Sequence, residues 1–159
     1  MSDYKNILSN IGRYVSLDET DKKQFISIVK TSRVKRRQFI VQPNFVCTHQ
    51  TYVVQGAFRS YFVSREGTDH TIQFAIEDWF ISDFNSYISQ TPASLFVEAL
   101  EDSLIQQIAY EDVEKLCETN PKFERFFRLV ALQVYALASY LGMSAEFLSK
   151  IRKQLASES

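Results

Sequence analysis

The chain is poor in the residues that mark several common classes. Its two cysteines, Cys47 and Cys117, stand far apart and form no CxxC pair. That excludes a disulfide-rich secreted scaffold and a cysteine zinc site. Neither sign of charge dominates: 18 Lys+Arg stand against 19 Asp+Glu, a formal net charge of −1. No global basic field exists to hold nucleic acid, so any basic footprint must be local. The longest uncharged run lies between Arg128 and Glu146, and Gln133, Ser139 and Gly142 break it too often for a membrane span. The opening MSDYKNILSN lacks the long apolar stretch of a secretory signal. A reducing, cytoplasmic setting is the expectation. What remains is the composition of a folded domain, 159 residues with 45% hydrophobic and 23% charged, enough for one core.

The hydrophobic period divides the chain into three blocks. Tyr4, Ile7, Leu8 and Ile11 lie at i, i+3, i+4 and i+7, one face of a short helix. Asp18 offers a cap to a second helix carrying Phe25, Ile26 and Val29, with Glu19 and Asp21 in the first turn, where negative charge suits the dipole. From about Arg33 to Ala109 the period changes to 2. Ile72, Phe74 and Ile76 alternate with Thr71, Gln73 and Ala75, and Leu95, Val97 and Ala99 alternate with Phe96, Glu98 and Leu100. Aromatic and β-branched residues crowd 52–54 and 58–63. Two of only four glycines mark turns, at Gln55-Gly56 and Glu66-Gly67, so the block predicts a small barrel, roll or sandwich.

The third block is helical again. A short helix is expected over Tyr110–Cys117, and Asn120-Pro121 supplies a cap and a first helical residue. Phe123, Phe127, Val130, Val134, Leu137 and Leu141 then follow at 4, 3, 4, 3, 4, a heptad-like stripe on a helix roughly 30 Å long. Gly142 can end it, and Ser144 can cap a last helix. A helix-turn-helix needs a small residue at the crossing, Gly at the turn and an apolar wedge. Ala138, Gly142, and Leu137, Leu141, Met143, Leu148 and Ile151 supply these. The last helix would offer Ser144, Ala145, Glu146, Ser149, Lys150 and Lys153 to base edges and phosphates of a major groove. From Pro121 onward six Lys/Arg face three Asp/Glu, a local excess of +3. A plain helical hairpin packed on the β block satisfies the same pattern.

The stretch LASYLGMSAEFLSKIRKQL resembles the helix-turn-helix of Crp/Fnr-type transcription regulators. The middle block resembles their cyclic-nucleotide-binding β-roll, most clearly from HTIQFAIEDWFISDF through VEALEDS, and the preceding helices match as well. The resemblance implies an α+β fold: N-terminal helices, an antiparallel β-roll, then a long helix and a helix-turn-helix. It divides the chain into an effector-type domain over residues 1–120 and a dimer-type helix with a partial helix-turn-helix over 121–159. It implies double-stranded DNA and a second copy of the chain as partners.

Two departures from the family pattern matter. Members that bind cyclic nucleotides carry a Gly-Glu pair for the ribose hydroxyl and an Arg followed by Ser or Thr for the cyclic phosphate. Those positions fall here on Ser82 and Asp83, and on Ala93 and Ser94. Ala93 cannot neutralise a phosphate, and a hydroxyl cannot replace a bidentate Arg. Cyclic AMP is therefore not expected as a ligand. Either another small effector fits, or the chain's own aromatics fill the pocket, with Trp79, Phe80, Phe84 and Tyr87 as candidates. The second departure is a shortening between roll and helix-turn-helix, ten residues from Arg128 to Ala138, so the winged domain lacks its front portion. One helix would then serve both as dimer helix and as first helix of the helix-turn-helix. The alternative is a roll that binds a small ligand or a protein, with DNA binding lost.

Other residues carry weaker signals. Cys47-Thr48-His49 and Asp69-His70 invite a metal or nucleophile reading, but a metal site needs three or four converging ligands, and a cupin-type metalloenzyme needs a histidine-rich cluster that is not there. No catalytic residue and no metal ligand is expected. Arg33, Lys35, Arg36 and Arg37 form a basic run. If it is a strand, Arg33, Lys35 and Arg37 share a solvated face.

Overall fold

The computed structural model describes residues 2–140, with side chains from Asp3 to Gln133. After a single 3-10 turn at Ser2–Tyr4 come α1 (Lys5–Gly12) and α2 (Glu19–Ile28). Eight strands follow: β1 (Val29–Val34), β2 (Phe39–Val41), β3 (His49–Gln55), β4 (Phe58–Val63), β5 (Asp69–Ala75), β6 (Phe80–Ile81), β7 (Phe96–Ala99) and β8 (Ser103–Ala109). A short helix α3 (Phe84–Ser89) interrupts them between β6 and β7. The chain leaves the strands through α4 (Tyr110–Thr119) and α5 (Pro121–Tyr140). None of these helices is long and apolar enough to cross a membrane.

The strands form two antiparallel sheets, β1-β8-β3-β6 and β2-β7-β4-β5. One core lies between the sheets and holds Val34, Val53, Phe58, Ala75, Val97 and Ile105. The other lies between the first sheet and the helices and holds Ile7, Ile11, Phe25, Tyr52, Phe80, Ile108, Phe123 and Phe126. Alternation along β8 divides the two: Ile105 points between the sheets and Ile108 toward the helices.

Local signals set the helix ends. Asp18 and Asp21 form a reciprocal capping box at α2, each carboxylate accepting from the other's backbone N–H at 2.8 and 3.0 Å. Asn120 Oδ1 accepts from Lys122 N–H at 3.1 Å at the start of α5. Gly56 turns β3 into β4 at φ +121°, and a Cβ there would overlap the Ser103 side chain.

Three sequence expectations are corrected. Val29 does not belong to the second helix; it begins β1, so the strands start four residues earlier than Arg33. At the end of β5 the buried phase is inverted: Ala75 faces the core, while Phe74 and, just past the strand, Ile76 are 58% and 51% exposed. Phe74 pairs with Arg59, on the side away from the other sheet, and a register shift at Ser60/Tyr61 disturbs the simple alternation. The stripe on α5 is also not free for a partner at its start. Phe123, Phe126 and Val130 are buried within this chain, and Phe126 takes a place the 4-3 spacing assigned to Phe127.

Two polar clasps tie the helices, one to each other and one to the roll. The Asp21 carboxylate accepts from Asn120 Nδ2 at 2.8 Å and from Lys122 Nζ at 2.6 Å, joining α2 to α5. The Lys122 ammonium, the Asp18 amide and Asn120 together hold that carboxyl down to about 2. Asp78, in the turn between β5 and β6, accepts from Asn10 Nδ2, from the Tyr52 hydroxyl at 2.7 Å and from Arg13. It ties α1 to β3.

Candidate effector site

The segment from β6 to β7 brings together all four positions the resemblance singles out. Ser82, Asp83 and Ala93 are buried. Asp83 is the N-cap of α3, and its Oδ1 accepts from the Ser86 amide at 3.1 Å. Its Oδ2 accepts from the amides of Ser94 at 2.9 Å and Leu95 at 3.3 Å. One carboxylate therefore bridges the start of α3 to the loop that follows Ala93. Ala93 itself is held by backbone bonds to Phe45 and Asn44, at 2.8 and 3.0 Å. An Asp three residues before Ser86 is an N-cap signal readable in the sequence, although the bond across to Ser94 and Leu95 is not.

Ser86 is a second organiser of the segment and carries no local signature. Its Oγ donates to Thr91 O at 2.5 Å and accepts from the Cys47 amide at 2.9 Å, a contact 39 residues away in sequence. Gln90 adopts a left-handed backbone at φ 50°, and its side chain donates to Cys47 O and Tyr87 O. Two hydroxyls in this segment, Ser82 Oγ and Tyr87 OH, are buried with no hydrogen-bond partner among the described residues. Burial, reinforced by Glu114 and Cys117, pushes the Tyr87 phenol well above its usual range.

The aromatic candidates for filling the site divide. Tyr87 lies in the core between the sheets, edge-on to Tyr110 at 5.4 Å. Phe80 points the other way and packs on Tyr52 and Phe126, with centroids at 5.2 and 6.0 Å. Phe84 also packs toward the helices, and Trp79 is 42% exposed.

A separate cleft of about 480 Å³ opens between β2, the loop leading into β3, and the paired strands β3 and β8, lined by Gln38, Phe39, Phe45, His49, Thr51 and Gln107 among others, and it does not include Asp83 or Ala93. His49 and Cys47 form no nucleophile pair. The Cys47 thiol donates to the His49 carbonyl at 3.4 Å, whereas the His49 ring meets Thr48 Oγ1 at 2.9 Å. Burial raises the Cys47 thiol and lowers the His49 ring. His70 stacks on Phe62, in the other sheet. Among the described residues no three His, Cys, Asp or Glu side chains converge on a metal position. The expected DNA-contacting residues Ser144, Ala145, Glu146, Ser149, Lys150 and Lys153 lie outside the described residues.

No family model matches the sequence, and no curated protein matches it either. Solved structures do match. The sensor domain of the transcriptional regulator DNR from Pseudomonas aeruginosa superposes with a TM-score of 0.69 at 10% identity, over 89% of this chain and 92% of that one. A cyclic nucleotide-binding domain from Methylobacillus flagellatus KT gives 0.72 at 13% identity, over 94% and 84%. The Thermus thermophilus catabolite activator protein gives 0.63 at 15% identity, over 94% and 87%.

The fold is a cyclic-nucleotide-binding β-roll.

At the two positions that the resemblance assigns to the cyclic phosphate, this β-roll carries Ala93 and Ser94. The roll's loop after Ala93 offers no cation among the positions compared. Its Ser94 and Leu95 amides are already taken by a carboxylate, so an incoming phosphate would meet negative charge where it needs positive.

Proposed function

We propose that the chain is a DNA-binding transcription regulator of Crp/Fnr type whose β-roll works without a cyclic nucleotide. In this reading residues 1–120 form the effector-type domain, and 121–159 supply the dimer-type helix and a shortened helix-turn-helix. The observation that carries it is the path of α5. It leaves the roll at Pro121 and runs without a break to Tyr140, into the stretch that resembles the helix-turn-helix. Ser144, Ala145, Glu146, Ser149, Lys150 and Lys153 are the residues assigned to DNA. The expected assembly is a homodimer, since two recognition helices must lie about 34 Å apart to enter successive major grooves. No reaction is assigned to the chain.

The packing supports a route from the effector site to α5. Phe80 lies three residues before Asp83 and touches Phe126 of α5. A small effector or protein partner that shifted the Ser82–Asp83 turn would push on Phe80 and so on the helix leading to the DNA-contacting region. Ser82 Oγ and Tyr87 OH, both buried and unbonded, give that turn two neutral polar groups for such an effector.

A second reading, a ligand- or protein-binding roll that has lost DNA binding, is favoured by one observation. The first turns of α5 are spent on this chain's own core, which shortens the stripe left for a partner. Duplex binding followed against salt separates the two. The regulator reading expects affinity that falls steeply with salt and weakens in Lys150→Ala. Absence of binding to a selected duplex library at low salt hands the function to the second reading. Calorimetry with cyclic AMP is expected to give no heat, and micromolar binding would overturn the reading of Asp83 and Ala93.

A further inference from the structure

The basic run at 33–37 is not the strand surface its alternation suggested. β1 ends at Val34, and Lys35–Gln38 form the turn into β2, with Gln38 N–H donating to Lys35 O at 3.0 Å and Lys35 N–H to Gln38 Oε1 at 3.1 Å. Arg33, Lys35, Arg36 and Arg37 are all exposed at this corner of the roll. One acid braces it: Asp102 accepts from the Arg36 amide at 2.9 Å and pairs with Lys35 Nζ at 3.8 Å. Among the described residues no carboxylate forms an ion pair with the Arg33 or Arg37 side chain.

Arg37 is the unusual member. Its backbone is left-handed at φ 71° and is held there by its N–H bond to Ala99 O at 2.8 Å. Four non-glycine residues adopt such a conformation in the described chain, and the other three have a local reason. Asn44 is a residue type at ease there. Asp78 gathers Asn10, Arg13 and Tyr52, and the Gln90 side chain bonds two carbonyls. Among the described residues the long cationic side chain of Arg37 makes no hydrogen bond, ion pair or ring contact. It is presented outward on a strained turn that glycine would form more easily.

We infer that this turn is a phosphate-contacting ridge that grips nucleic acid outside the helix-turn-helix. The inference rests on the reading that DNA is the partner. Three of its four cations are arginines, whose planar forks suit phosphate oxygens. Residues 33–37 span at most about 14 Å of chain, the axial rise of roughly four phosphates on one strand. No large apolar side chain is exposed between residues 30 and 37, so the ridge has nothing to insert into a lipid layer. In a chain with net charge −1 it is a local field, the kind that adds backbone grip without sequence reading.

The test is equilibrium binding of the full chain to a random-sequence duplex of about three helical turns, titrated with salt from about 50 mM upward. The variant R33Q/R36Q/R37Q is expected to bind roughly tenfold or more weakly at the low-salt end and to lose about 2–3 units of the slope of log K against log salt. The variant R33K/R36K/R37K keeps the charge and most of the slope. The single R37N change relieves the backbone and should lose about one unit, which keeps the idea testable if the triple variant is not folded by circular dichroism. An unchanged slope in R33Q/R36Q/R37Q and R37N overturns the ridge. If K150Q/K153Q weakens binding while those variants do not, the ridge falls and the regulator reading stands. If the unaltered chain binds no duplex at about 50 mM salt, both fall. Arginine-dependent binding to phosphatidylserine vesicles with none to duplex also overturns the ridge, as a nucleic-acid contact.

Discussion

The two cores of the β-roll are built from different materials. The one under the helices is a stack of rings: Phe25 on Phe123 at 5.7 Å, Tyr52 on Phe80, and Phe80 and Tyr14 on Phe126. The one between the sheets relies on Val34, Val41, Val53, Val97 and Ile105 and on the small Ala75, Ala93 and Ala99, with Phe58 and Tyr87 as its large members. The difference extends to the polar groups. On the helix side Asp21 and Asp78 tie separate elements together across 99 and 68 residues of sequence. Between the sheets Asp83 ties one short segment to itself, within 12 residues. The buried carboxylates on the helix side therefore join distant elements, and the Asp83 segment is a local fitting.

The sharpest way to break this contrast is Phe126→Ala. A fully buried ring at the centre of the helix-side stack should cost about 3–5 kcal/mol, a fall in Tm of roughly 10 °C for a chain of this size. Urea denaturation measures it, and a cost no larger than that of Val97→Ala would erase the distinction between the cores. Asp83→Ala comes next, at about 2–3 kcal/mol, because it leaves three backbone amides without their acceptor. Hydrogen exchange should show Ser86, Ser94 and Leu95 losing protection while α5 keeps its own. Global loss would mean that the Asp83 segment is not local.

Asp21→Asn sharpens the comparison through pH. The carboxyl titrates at about 2 in the fold, against roughly 3.9 in an unfolded chain. Protonation is thus resisted by the folded state, and the clasp contributes stability above about pH 4 that is lost as pH falls toward 2. The Asn variant should show a flatter acid-unfolding profile over that window, and an unchanged profile would remove Asp21 from the acid response. The smallest effect is chemical. Burial, with Glu114 and Glu124 nearby, raises the Cys117 thiol to about 11, and burial raises Cys47 as well. Both should alkylate far more slowly at pH 7.5 than a free thiol, and a fast reaction at Cys47 would show the Asp83 segment, which bonds it through Ser86 and Gln90, opening.

Much of the frame was legible because it rests on short-range physics. The Asp18 cap, the Asn120-Pro121 start and the glycine turns depend on hydrogen bonds and dihedral angles within a few residues. Ser82, Asp83, Ala93 and Ser94, the positions singled out by the resemblance, lie in one segment joined by the Asp83 carboxylate. The failures share a cause. Nothing near Phe74 says that Arg59 will be its neighbour and solvent its surroundings, because that depends on a register shift in another strand. Phe126 outranks Phe127 because Phe80 and Tyr14 stand opposite it, from parts of the chain 46 and 112 residues earlier. Asp78 had no motif, since its partners come from α1 and β3.

From the sequence alone came the order of helices and strands, the turns, the near-neutral charge and the missing arginine at Ala93. The first three follow from residue type and local spacing, which the chain carries wherever it folds; the arginine is missing only by comparison with the family that the sequence resembles. Only the tertiary structure decided which face of β5 is wet, how far α5 is committed to its own core, what the Asp83 carboxylate holds, and that four cations meet at one turn. The first two are set by contacts between distant segments, and the last two by how a short stretch of chain bends, which the packed sheets and helices hold in place.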